Sequence, residues 1–101
     1  MIIREWRGRA ATSNPDGYPT HFRTHVAAEL SKLPGFRGAT LSKRQLDGAI
    51  EFVVLTRWES LESVKSFAGA DLSKAVVEPG AVAALIAFDD TVRHYECIEE
   101  I

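Results

Sequence analysis

Three histidines are the side chains best suited to move a proton near neutral pH, and their spacing constrains what each could do. His25 and Glu29 stand four residues apart, one turn on a helix, so the carboxylate could orient the imidazole as a general base. At about 100° per residue the apolar stripe of Tyr18, Phe22, Val26 and Leu30 places Glu29 inside its arc and His25 at its edge. Glu29 could instead reach past Leu30 to pair with an arginine. His94 shares a strand face with Val92, Glu96 and Ile98, opposite Tyr95 and Cys97. There it could act as a base or donate to an anionic intermediate, or be held structurally across a sheet or subunit contact. His21 and His25 have the i, i+4 spacing of a metal pair, but His21 is expected to project away from the stripe. No acidic partner motif joins them, so no metal site is expected.

Aromatic residues could wall a binding site. Trp6, Tyr18, Phe22, Trp58 and Phe67 are the candidates for stacking on a flat substrate, although Trp6 and Trp58 suit a core or an interface equally well. The chain has no phosphate-cradling glycine loop, Gly-x-Ser-x-Gly elbow or paired-carboxylate motif. Cys97 is the sole cysteine, which excludes an internal disulfide or a thiolate metal site and fits reducing surroundings.

The elements that must position these residues follow from periodicity. Residues 2–9 alternate as a strand, and residues 16–33 carry apolar side chains at helical spacing, with Asn14 as N-cap and Pro15 at N1. Pro34-Gly35 closes that helix. Residues 36–44 and 49–58 read as two strands joined at Asp47-Gly48, a dipeptide suited to a tight turn. Ser60 caps a second helix through Leu61, Val64 and Phe67. Gly69, Asp71 and Pro79 then break the pattern into shorter helical pieces ending near Phe88, and residues 91–99 form the last strand. This order, strand-helix-strand twice over, implies one α+β domain over residues 1–101. It is a ferredoxin-like split β-α-β with a four-stranded antiparallel sheet and its helices on one side. In residues 49–58, Ile50, Phe52 and Val54 face one way and Val53 and Leu55 the other. The chain's own helices cover one face, so the other calls for a second copy in a homodimer.

Composition narrows the function classes. The 101 residues carry a net charge of −2 with charges evenly interspersed, and no basic stripe could neutralise phosphates, so nucleic acid is not an expected partner. Apolar runs such as Phe52-Val53-Val54-Leu55 are far too short to span a bilayer, and Arg4 and Glu5 interrupt any signal-type stretch after Met1. A cytoplasmic protein without membrane association is expected.

Several segments together resemble the antibiotic biosynthesis monooxygenase domain of the dimeric α/β barrel superfamily. They are Arg4-Glu5-Trp6-Arg7-Gly8-Arg9, His21-Phe22, Pro34-Gly35-Phe36, the run Glu51-Phe52-Val53-Val54-Leu55-Thr56-Arg57-Trp58-Glu59-Ser60, and His94-Tyr95-Glu96. The resemblance covers nearly the whole chain, with Thr-Arg-Trp-Glu-Ser before a helix its most specific piece. It implies a dimer of back-to-back sheets, each subunit holding a pocket between sheet and helices. Members differ in chemistry: some oxygenate anthrone-type phenols without metal or flavin, some oxidise quinols, some degrade haem, and related barrels only bind ligands. Haem-degrading members carry an asparagine on the first strand, a tryptophan on the second helix and a histidine ligand about three turns on. Here the first strand has no asparagine, and the other two positions fall near Phe67 and Val77. The resemblance therefore implies a cofactor-free monooxygenase acting on a small aromatic, with a non-enzymatic binding or stress-response protein as the alternative.

Overall fold

The computed structural model describes residues 1–101. Strands β1 (Ile2–Ala11), β2 (Phe36–Leu46) and β3 (Ala49–Trp58) are long, whereas β4 (Ala87–Phe88) and β5 (Arg93–Glu96) are short. The order is β2-β3-β1, with β4 and β5 both paired to the far edge of β1, and every pairing is antiparallel. This is the expected α+β, ferredoxin-like arrangement. The strand expected over residues 91–99 is shortened to β5, and the short β4 stands at Ala87–Phe88, where the sequence suggests the end of a helical piece. Between β4 and β5 the chain leaves the sheet, where the Asp89 carbonyl accepts from the Trp6 indole at 2.9 Å and the Val92 amide donates to Ser73. Residues 89–92 are thus drawn towards the segment before the last helix, and Thr91 bridges to Lys74.

Helix α1 spans residues 17–30 and joins three parts, an α-helical Gly17–His21, a π-helical Phe22–Val26 and an α-helical Ala27–Leu30. It begins later than the sequence suggests: Asp16 is the N-cap and makes no side-chain cap bond, while Pro15 lies outside. The Asn14 side chain packs where a Gly17 Cβ would stand, within 2.7 Å of its Nδ2. A π segment widens the turn, so residues four apart fall into line. Tyr18, Phe22 and Leu30 are accordingly buried along one stripe, with Val26 half-buried between them.

Helix α2 (Leu61–Ala68) starts as expected at Ser60, whose hydroxyl accepts from the Ser63 amide while the Ser63 hydroxyl accepts from the Ser60 amide. Helix α3 (Pro79–Ala84) is the only helical turn between Gly69 and Phe88. The β2–β3 turn falls at Asp47-Gly48 as expected, and of these two residues only Gly48 takes a positive φ, 78°. The main core lies between α1, α3 and the sheet, built on Tyr18, Phe22, Ile50, Phe52, Val54 and Leu85. A second core packs Leu30, Trp58 and Val64 beneath α2.

The other sheet face carries no helix. Val53 and Leu55 lie half-buried there as their parity requires, but most of this face is charged. Glu51 is 3% exposed and pairs with Arg44 (2.7 Å), Arg7 (3.2 Å) and Arg9 (3.5 Å). Glu5 pairs with Arg7 and Arg93 and accepts from the Tyr95 hydroxyl. The Glu51 carboxylate is covered by arginine side chains rather than by core. They outweigh that partial desolvation and hold its pKa below the ordinary 4.5, the Arg44 hydrogen bond most strongly.

Candidate functional site

A cleft opens between the helices and the inner face of β1 and β3. The enclosed space is about 40 Å³, room for a few waters, and reaches about 540 Å³ only when the open solvent at its mouth is counted. From β1, Arg4 and Trp6 line it. Trp6 contributes an indole wall 5.6 Å from the Tyr18 ring, and Gly8 makes room, since a Cβ there would come within 2.9 Å of the Trp6 ring. Tyr18 is 3% exposed, and burial, followed by the Glu78 charge, raises its pKa well above the ordinary 10, so it remains a neutral phenol. Phe67 of α2 closes another side, stacked on Trp58 at 5.8 Å.

His21 occupies the wall where α1 meets α3. Its side chain is 10% exposed, and its Nε2 is buried with no hydrogen-bond partner, 3.9 Å from Glu78 Oε1. The expectation that His21 projects away from the stripe is therefore corrected. The residue sits at the edge of the stripe, and α3 closes over it because Gly80 has no Cβ; one there would stand 2.6 Å from His21 Nδ1. His21 lines the cleft and its Nε2 has no protein hydrogen bond to give up before exchanging a proton, and because that nitrogen is buried a bound molecule reaches it only by displacing neighbouring side chains.

The other expected residues lie differently. His25 and Glu29 are exposed and do not line the cleft; His25 pairs with the Thr24 hydroxyl at 2.8 Å and stacks on His21. The π segment turns both away from the arc that regular helical geometry assigns them, and Glu29 forms no ion pair. Phe22 and Trp58 are buried in the two cores behind the site, and the Trp58 indole donates to the Thr56 hydroxyl at 2.8 Å. His94 faces inward beside Arg4, with its Nε2 3.0 Å from Arg4 Nη1. A guanidinium only donates, so His94 Nε2 accepts and the lone pair a base would use is already engaged. Burial and the Arg4 charge both lower the His94 pKa, keeping the ring neutral.

Arg4 is the residue that periodicity could have identified, because it shares strand parity with Trp6, Gly8 and Ala10. It is 4% exposed, lines the cleft and donates to the Leu72 and Lys74 carbonyls at 2.8 and 2.9 Å. Its guanidinium lies over Phe67, and burial lowers its pKa to about 10. The segment over residues 72–74 is thereby clamped against the sheet.

The sequence model for antibiotic biosynthesis monooxygenase matches residues 1–79. The chain belongs to this family. No curated protein matches it in sequence. Among solved structures it is similar to a candidate antibiotic biosynthesis monooxygenase from Bacillus cereus, at 19% identity and a TM-score of 0.68, covering 99% of this chain and 97% of that one. SnoaB, a cofactor-independent oxygenase from Streptomyces nogalater, is similar at 16% identity and a TM-score of 0.63, over 99% and 96% of the two chains. MhuD, a haem degrader from Mycobacterium tuberculosis, is similar at 20% identity and a TM-score of 0.61, over 100% and 99%. At these identities the likenesses establish a shared fold. For the haem branch of the family the residues do not fit. Val77, near the position expected for a histidine ligand, is an aliphatic side chain packed against the main core, and Phe67 is committed to Trp58 and Arg4.

Proposed function

We propose that this member of the antibiotic biosynthesis monooxygenase family is a cofactor-free monooxygenase acting on a small aromatic, a quinol or an anthrone-type phenol, as a cytoplasmic homodimer. The observation that carries the reading is the unpartnered, buried Nε2 of His21 in a cleft walled by Trp6, Tyr18 and Phe67. Without a metal or flavin the substrate must itself supply electrons to oxygen, and removing its acidic proton makes it electron-rich enough to do so. His21 would take that proton, with the Glu78 carboxylate 3.9 Å away as its ion-pair partner. The aromatic walls orient the ring and exclude water. For an anthrone-type substrate the balance closes within the pair of reactants. The methylene carbon loses two hydrogens, one oxygen atom becomes its carbonyl and the other leaves as water.

The homodimer would cover the helix-free sheet face, where Val53 and Leu55 lie among the Glu51 and Glu5 ion pairs. An oxygen electrode with a panel of quinols and anthrones, in the presence of a chelator, tests the activity. Consumption that falls ~10²-fold in His21→Ala, with the fold intact by circular dichroism, is expected. Saturable ligand binding with no oxygen uptake across the panel would replace this reading with the non-enzymatic binding protein.

A further inference from the structure

Arg4 carries a charge that the protein does not balance. Five other arginines, Arg7, Arg9, Arg37, Arg44 and Arg93, pair with glutamates, whereas Arg4, the buried one, has no carboxylate within ion-pair distance. Its protein partners are two backbone carbonyls, the neutral His94 ring and the face of Phe67. A buried cation without a counter-charge is costly, and neutral acceptors offset only part of that cost. Arg4 nonetheless lines the same cleft as Trp6, Tyr18 and His21. Of its five N–H groups, three are engaged: both on Nη1, with Leu72 and His94, and one on Nη2, with Lys74. The Nε hydrogen and one Nη2 hydrogen remain, enough for a carboxylate.

We infer that the cleft takes an aromatic acid, its ring against Trp6 and Tyr18 and its carboxylate paired with Arg4, so that Arg4 determines specificity for anionic substrates. The inference deepens the proposed function, on which it rests only in treating this cleft as the substrate site. No acidic side chain competes at that end: Glu78, the one carboxylate lining the cleft, sits beside His21, and no hydrogen bond or ion pair joins the His21 group to the Arg4 group. The arrangement separates two tasks, with charge recognition at Arg4 and proton transfer at His21.

Isothermal titration of the full chain with 2-naphthoate and with its neutral isostere 2-naphthamide tests this without any turnover. The parent is expected to bind the acid roughly tenfold or more tightly than the amide. Arg4→Met should abolish the preference, and Arg4→Lys, which keeps the charge but loses the planar fork, should retain part of it. Should Arg4→Met fail to fold, added salt in the parent carries the test, because it weakens naphthoate selectively if the contact is ionic. Equal binding of acid and amide, an unchanged preference in folded Arg4→Met, a salt-insensitive difference, or no binding of either at millimolar concentration would overturn the inference. Oxygen uptake on neutral phenols without any acid preference would remove this inference alone. Arg4-dependent binding of the acid with no oxygen uptake from any substrate would instead remove the monooxygenase reading.

Discussion

Replacing Gly80 by alanine moves the proposed base without touching its chemistry. The added Cβ would stand 2.6 Å from His21 Nδ1 and 2.8 Å from Cε1, so the ring or the start of α3 must retreat by roughly 0.8 Å to reach ordinary van der Waals contact. The ring has little room to do so. It is stacked on His25 at a centroid distance of 5.2 Å and flanked by Tyr18 at 6.1 Å. Overpacking of this kind costs about 1–3 kcal/mol, and the helix preference of alanine over glycine returns up to about 1 kcal/mol within α3. A net loss of about 0–2 kcal/mol is small against the ~5–15 kcal/mol stability of a domain, so the variant should fold. A displacement near 1 Å at a proton-transfer site nevertheless costs on the order of 10²-fold in rate. The checks are a urea melt, the His21 imidazole signals by NMR, and oxygen uptake on whichever substrate the panel supports. Shifted His21 signals and a large rate loss with nearly unchanged stability are expected. Shifted signals with full activity would refute the role of His21 as base, and unshifted signals would refute the packing analysis.

Other perturbations probe the supporting structure. Trp58 is fully buried between Phe36 and Phe67, so Trp58→Ala should cost about 3–5 kcal/mol, measured by urea unfolding. Glu51 has a lowered pKa in the folded chain, so its ion pairs stabilise above the ordinary value of 4.5, and that contribution disappears as pH falls through the folded value. Glu51→Gln should therefore be less stable than the parent at neutral pH, with a gap that narrows below about pH 4.5; a gap constant with pH would contradict the ion-pair account. Sedimentation of the parent at micromolar concentration should give twice the chain mass, and Leu55→Asp should give monomers or aggregates. A monomeric parent would contradict pairing through the open face.

Much of the framework was legible in the sequence because local rules dominate there. The parity of Ile50, Phe52 and Val54 assigned the inner face of β3, Ser60 marked the start of α2, and Gly48 supplied the turn between β2 and β3. The same parity on β1 puts Arg4 on the face of Trp6, although Arg4 was not among the residues expected at the site. What local spacing could not reveal depends on long-range contacts or non-standard geometry. The π segment at Phe22–Val26 rotates His25 and Glu29 out of the arc computed for a regular helix. The burial of His21 depends on α3 arriving over Gly80, nearly sixty positions later in the chain. The excursion of the chain between β4 and β5 follows from Trp6 capturing the Asp89 carbonyl and from the Val92 amide bonding Ser73. On the open face, alternation predicted an apolar surface at Val53 and Leu55, yet the neighbouring Glu51 gathers three arginines from two other strands, which only the register brings together.

The central claim is that the chain transfers one oxygen atom from molecular oxygen to an aromatic carbon with no metal or flavin. Mass spectrometry of the product formed under ¹⁸O-labelled oxygen by chelator-treated protein tests it most directly. One labelled oxygen atom in the quinone product of an anthrone, lost in step with activity in His21→Ala, is the predicted result. A product that carries no label, or a labelling rate that the protein does not raise above that of the anthrone alone, would contradict the account.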